Sequence, residues 1–79
     1  MGRYTSLLEG MELVKIIEAE GNYNYYGYSR WGRAEWLILR EKTDGTEYLY
    51  AIGKGSFDNA WTARATKNYK KPTDFTVNP

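Results

Sequence analysis

The chain has 79 residues, a formal net charge of +1, and neither cysteine nor histidine. This length suffices for one domain, and without cysteine neither disulfides nor thiolate metal sites can stabilise it. Without histidine the chain lacks the commonest general base and metal ligand, which excludes Ser-His and Cys-His nucleophiles. We therefore expect one non-enzymatic domain over residues 1–79, with no metal or cofactor, an N-terminal extension at 1–10 and a C-terminal tail at 73–79.

The composition also bears on location and partners. No apolar stretch approaches the roughly 20 residues of a membrane span, and the N-terminus lacks the apolar core of a signal peptide. We therefore expect the protein in the cytoplasm of the cell that makes it, with no membrane partner. Eight Tyr, three Trp and two Phe are unusual in a chain this short, and Tyr and Trp are enriched in binding surfaces.

The sequence of residues 6–19 is compatible with either a helix or a strand. A helix is supported by a Ser6/Glu9 capping box and by four apolar residues at helical spacing, which are Leu7, Met11, Val14 and Ile17. Gly10 would cost such a helix about 1 kcal/mol relative to Ala, and the β-branched residues of this segment favour a strand. We favour a strand over 13–20, joined by a Gly21-Asn22 turn to a strand over 23–29 that places Ile17 opposite Tyr26.

Asp44-Gly45 is the clearest turn signal, because this dipeptide fits a two-residue type I′ turn in which both residues have positive φ. The turn predicts a second hairpin whose register is Lys42–Glu47, Glu41–Tyr48, Arg40–Leu49, Leu39–Tyr50, Ile38–Ala51, Leu37–Ile52 and Trp36–Gly53. One face of this hairpin, carrying Leu37, Leu39, Tyr48, Tyr50 and Ile52, is the predicted core face.

After Gly55 the apolar period changes to four, which predicts a helix over 57–69 with Phe57, Trp61 and Ala65 facing the sheet. Pro72 prevents its continuation. The predicted fold class is α+β: an antiparallel β-meander of three to four strands with one C-terminal helix packed on one face.

One helix covers only one face of a sheet. We expect it on the Leu37 face, which leaves Trp36, Ile38, Leu49 and Ala51 on the other face in need of a partner. The alternative is that the N-terminal segment folds across this second face and completes a closed domain. The candidate partner-binding residues combine this face with the neighbouring aromatic and basic side chains; they are Trp36, Ile38, Leu49, Trp31, Tyr25, Tyr28, Arg30 and Arg33.

Two motifs suggest ligand sites that their spacing does not support. Gly53-Lys54-Gly55-Ser56 precedes a helix but lacks the four residues that separate the glycines of a phosphate-binding loop. Asp44 stands in a Thr-Asp-Gly-Thr turn without the further ligands of a calcium loop. The interleaved aromatic and arginine residues are compatible with stacking on single-stranded nucleic acid, but the near-neutral charge disfavours it.

Part of the chain resembles small proteins encoded by tailed bacteriophages. The resemblance covers residues 16–69. It rests on Tyr25–Tyr28, on Glu35-Trp36-Leu37-Ile38, on Tyr50-Ala51-Ile52-Gly53, on the run from Ser56 to Ala65, and on Tyr69. Such proteins share a Trp-led strand, an A-x-G hairpin end and an F-D-x-x-W-x-x-R-A-x-x-x-Y helix. The chain departs from them at Ile52, where Asp is usual, and at 30–34, where a Pro-rich linker is usual.

The resemblance implies a virion-associated or assembly component that binds phage structural proteins or itself, in the host cytoplasm or the virion. An inhibitor of a host protein is the alternative, since a small, near-neutral, aromatic-rich chain fits both functions. Single-stranded nucleic-acid binding is a third interpretation.

Overall fold

The computed structural model describes residues 10–30 and 35–71. They form a four-stranded antiparallel sheet in which sequence order is spatial order. The strands are β1 (Met11–Glu20), β2 (Tyr23–Arg30), β3 (Glu35–Lys42) and β4 (Tyr48–Lys54), followed by helix α1 (Phe57–Thr62) and a 3₁₀ turn (Arg64–Thr66). Within these two ranges, a small antiparallel sheet with one short helix is thus confirmed. The extension before Gly10 and the tail at 73–79 lie outside the described residues.

The β3–β4 hairpin has the predicted register, from Glu41 opposite Tyr48 to Trp36 opposite Gly53. The turn itself differs from the type I′ prediction, because only Gly45 has positive φ (78°). Asp44 instead accepts hydrogen bonds from the backbone N–H and the hydroxyl of Thr46, at 2.9 and 2.6 Å. The Lys42 N–H donates to the Glu47 carbonyl at 2.8 Å, so a four-residue loop preserves the register that a two-residue turn predicts.

The β1–β2 hairpin confirms the strand over the helix, but the predicted pairing of Ile17 with Tyr26 is wrong. Ile17 lies opposite Tyr25 and Ile16 opposite Tyr26. The difference arises from a bulge between Ile17 and Glu20, where Ala19 has a φ of 59° and its N–H donates to Asn24 Oδ1 at 2.7 Å. One extra residue in a bulge shifts every later pair by one position.

Helix α1 ends at Thr62, not at 69 as predicted. Ser56 caps its start, since its hydroxyl accepts the Asn59 N–H at 3.2 Å. After the 3₁₀ turn the chain becomes extended, and Lys70 exchanges backbone hydrogen bonds with Tyr50 at 2.7 and 2.8 Å. Tyr69 therefore reaches the sheet from an extended segment, and Ala65, predicted to face the sheet, is exposed.

The sheet has two faces, which we name after their β3 residues. The tryptophan face carries Trp36, Ile38 and Arg40, and the leucine face carries Leu37, Leu39 and Glu41. A larger core cluster lies on the tryptophan face and combines Tyr25, Trp36, Ile38, Ala51, Ala60 and Trp61. The predicted face for the helix is therefore wrong: Ala60 and Trp61 of α1 contact the tryptophan face.

The leucine face has a smaller core cluster. Leu37 and Tyr50 are buried there, with Met11, Tyr28 and Leu39 packed against them. Among the described residues, no helix is long and apolar enough to span a membrane.

Candidate interaction surface

The predicted partner-binding residues do not form one exposed surface. Tyr25, Trp36 and Ile38 are buried in the tryptophan-face cluster, where the Trp36 Nε1–H donates to the Lys54 carbonyl at 3.3 Å. Two further predicted partner-binding residues are half-buried: Leu49 on the tryptophan face and Tyr28 on the leucine face. On the tryptophan face, the predicted surface is therefore largely covered by the chain itself.

Of the two predicted arginines and Trp31, only Arg30 lies within the described residues. Arg30 lies beside the leucine face and pairs with Glu35, its Nε 2.6 Å from the carboxylate oxygen. Trp31 and Arg33 lie outside the described residues, so their predicted role stays a prediction.

Exposed apolar side chains concentrate on the leucine face. The described part of the chain has five exposed large hydrophobic residues, Leu13, Val14, Ile16, Tyr48 and Ile52, at 42–50% exposure. Four of them share the leucine face, because Leu13 pairs with Tyr28, Ile16 with Tyr26, Ile52 with Leu37 and Tyr48 with Glu41. Val14 is the exception, at a bulge between Leu13 and Lys15. We call the four residues Leu13, Ile16, Tyr48 and Ile52 the apolar margin.

The residues of the apolar margin lie on both sides of a buried centre, which is formed by Leu37 and Tyr50. Leu13 and Ile16 belong to edge strand β1, whereas Tyr48 and Ile52 belong to β4 at the opposite edge. Between them two cross-strand rows are continuous, Leu13–Tyr28–Leu37–Ile52 and Ile16–Tyr26–Leu39–Tyr50. Such rows of apolar and aromatic pairs stabilise a sheet, and when exposed they provide contact area for a partner.

The two ends of the leucine face carry opposite charge. Arg30, Glu35 and Lys54 occupy one end, with one net positive charge. Glu41 lies at the other end, where it accepts from the Tyr26 hydroxyl at 3.3 Å and from Asn24 Nδ2 at 3.4 Å. The pKa of the Tyr26 phenol is raised, first by desolvation and then by the negative charges of Glu41 and Glu18. This end is therefore negative.

Strand β1 is poorly suited to pair edge to edge with another strand. It is bulged between Leu13 and Lys15 and again between Ile17 and Glu20, and Lys15 stands near its middle. Bulges and edge lysines are the features by which natural sheets avoid edge pairing. The exposed β1 side chains are therefore better placed for a contact through the face of the sheet.

The tryptophan face carries a set of stacked cations. The Arg40 guanidinium lies over the rings of Tyr23 (4.4 Å to the centroid) and Tyr69 (4.3 Å). Arg64 lies over Trp61 at 4.9 Å and also pairs with Glu20, through Nε at 2.9 Å and Nη2 at 2.7 Å. Tyr25 and Trp36, two of the predicted partner-binding aromatics, are buried within or beside this set.

A small depression lies at the end of the leucine face that carries Glu35 and Lys54. A depression of about 260 Å³, lined by Glu35, Ile52, Gly53 and Lys54, is below the ~300–1,000 Å³ of common ligand pockets. No group of three or more potential metal-ligating side chains occurs in 10–30 and 35–71. Comparison of the chain with protein-family models, curated proteins and solved structures gives no significant match.

Proposed function

We propose that this chain is a non-enzymatic interaction protein that associates with a second copy of itself through the leucine face. The observation that carries the proposal is the apolar margin. Every exposed large hydrophobic residue that has a cross-strand partner among the described residues lies on this one face. Exposed large apolar side chains grouped on one face are typical of protein–protein interfaces. A contact between these faces buries the exposed side chains at both edges, around a centre that is already buried within each copy.

The charges select one geometry for the pair. A two-fold axis perpendicular to the strands places β1 over β1 and β4 over β4, and it inverts the strand direction. The positive end around Lys54 then meets the negative end around Glu41 of the other copy, and the apolar margins meet each other. An axis parallel to the strands would oppose like charges, which is unfavourable. A two-fold interface uses the same surface on both copies.

The setting proposed for this association is the one implied by the sequence resemblance. There the chain would be a small component of a tailed-bacteriophage particle, or of its assembly, built as a symmetric unit that other phage proteins contact. What supports this setting is the set of residues shared with such proteins: Glu35–Ile38, Tyr50, Ala51 and Gly53, and the run from Ser56 to Ala65. The proposed self-association does not depend on the resemblance, because it rests on the exposed residues of the leucine face.

Light scattering of the purified chain over a wide concentration range tests the proposal. The single chain has a mass of 9.2 kDa, and we expect the measured mass to rise to twice this value with concentration. Ile16→Lys should keep the chain monomeric, because it places a charge in the apolar margin. Val14→Lys is the matched control, since Val14 is equally exposed but is not paired on the leucine face.

Three outcomes contradict the proposal. The first is a monomeric wild type at every concentration, which would favour a different partner, as expected for an inhibitor of a host protein. The second is an equal effect of the two lysine substitutions. The third is a dimer that forms only with added oligonucleotide, which would favour the nucleic-acid interpretation.

A further inference from the structure

We propose that the Arg40 guanidinium, held between the rings of Tyr23 and Tyr69, is a binding site for a single oxyanion group, a carboxylate or a phosphate. The site lies on the tryptophan face, on the side of the sheet opposite the apolar margin. It is therefore independent of the proposed self-association, and either can fail without the other.

Two tyrosine rings pack against the guanidinium. Its central carbon lies 4.4 Å from the Tyr23 centroid and 4.3 Å from the Tyr69 centroid, so the group makes cation–π contacts with both rings. Stacking of this kind attracts the cation but satisfies none of its N–H donors, which point outward in the plane of the group. The remaining binding capacity of Arg40 therefore lies at its edge.

Those edge donors are not used within the described residues. The Arg40 Nε is buried and has no hydrogen-bond acceptor there. The terminal nitrogens are not among the buried unpartnered atoms, and the residue as a whole is only half-buried, so the terminal nitrogens are accessible from solvent. A fork of two N–H groups in a fixed plane is the arrangement that binds a carboxylate or phosphate bidentately.

Arg64 shows how another guanidinium on this face finds hydrogen-bond acceptors within the chain. It too contacts two aromatic rings, Trp61 and Tyr25, but its donors are used by the Glu20 carboxylate and the Trp61 carbonyl. Arg40 has the same aromatic surroundings and no carboxylate among the described residues. Because Glu20 is engaged by Arg64, the neighbourhood of Tyr69 keeps a net positive charge that favours an anion.

Titration of the full chain with sodium phosphate and with sodium acetate tests the site, with sodium chloride as the ionic-strength control. The readout is the arginine Nε–Hε signals in ¹H–¹⁵N spectra. We expect a saturable shift of the Arg40 signal with a midpoint on the order of 1 mM, the affinity that about two charge-assisted hydrogen bonds provide. Arg30 and Arg64 serve as internal controls, since both already pair with carboxylates.

The two salts distinguish the source of the anion: a tighter response to phosphate indicates a phosphorylated or nucleotide partner, and a tighter response to acetate indicates an acidic side chain. Arg40→Lys keeps the charge and loses the planar fork, so we expect roughly tenfold weaker binding, read from backbone amides of β3. Arg40→Met should abolish the response and still unfold cooperatively. A non-saturating shift, an equal response to chloride, or unchanged binding in Arg40→Lys would overturn the proposal.

Discussion

Helix α1 comes close to the sheet at Gly27. A Cβ added there would lie 2.6 Å from Phe57 Cζ and 2.8 Å from Trp61 Cε3, distances that force both rings to move. We expect Gly27→Ala to lower the free energy of unfolding by about 1–3 kcal/mol, the usual cost of overpacking. Urea denaturation followed by Trp fluorescence measures it. Ser29→Ala, on the same strand and face, is the control and should change stability little.

Tyr69 makes the stability of the fold sensitive to alkaline pH. Burial raises the pKa of its phenol above the model-peptide value of 10.0, with the charge of Tyr25 adding to the effect, and its hydroxyl donates to the Arg64 carbonyl at 2.7 Å. Above pH 10 the unfolded chain loses this proton while the folded chain keeps it, so stability falls as pH rises.

The measurement is the free energy of unfolding at several pH values from 9 to 11. In the wild type we expect a decline that begins near the unfolded-state pKa. In Tyr69→Phe the free energy of unfolding at pH 9 should be lower by about 1 kcal/mol, because one hydrogen bond is lost. It should then decline less steeply with pH than in the wild type. Equal slopes in both proteins would show that Tyr69 does not carry the dependence.

The early end of helix α1 separates two residues that sequence spacing places together. Trp61 is buried against the sheet, whereas Ala65 is exposed in the 3₁₀ turn. Trp61→Ala should therefore cost about 3–5 kcal/mol, and Ala65→Glu should stay within about 0.5 kcal/mol of the wild type, as for ordinary surface positions. Thermal unfolding of both variants measures the difference. A large loss in Ala65→Glu would instead favour a helix that continues through residue 69.

Among the elements, the β3–β4 hairpin could be predicted from sequence because its signals are local: a turn dipeptide set between two runs rich in apolar and aromatic residues. The β1–β2 bulge has no such signal. Ala19 adopts a positive φ (59°) that a sequence analysis assigns to Gly or Asn, and the Asn24 side chain that supports it is five residues away.

The face that the helix covers could have been predicted from glycine positions. Both faces of β3 are apolar, so alternation alone does not choose between them. The tryptophan face, however, brings Gly27 opposite Ile38 and Gly53 opposite Trp36, and a ring lies directly over each glycine. Small residues in a row of large ones indicate where another layer approaches. With the faces exchanged, the exposed candidate surface becomes Leu13, Ile16, Tyr48 and Ile52.

For the whole molecule, the proposed dimer places its two kinds of surface on opposite sides. The leucine faces meet at the centre, and the tryptophan face of each copy, with Arg40, points outward. Such a unit can contact other proteins on two sides at once, which suits a component of a larger assembly. The apolar margins supply association, whereas the charged ends of the leucine face set its direction.

If the charged ends set the direction of association, reversing one charge should weaken the dimer and reversing both should restore it. Lys54→Glu places like charges at both meeting points of the two-fold dimer, so we expect the dissociation constant to rise roughly tenfold, the sum of two surface pairs of about 0.5–1 kcal/mol each. Glu41→Lys should weaken the dimer similarly. The double variant restores opposite charges across the interface, and its affinity should return toward the wild type. Sedimentation or light scattering at low ionic strength measures all three, and double-variant dimers as weak as the single ones would contradict the proposed axis.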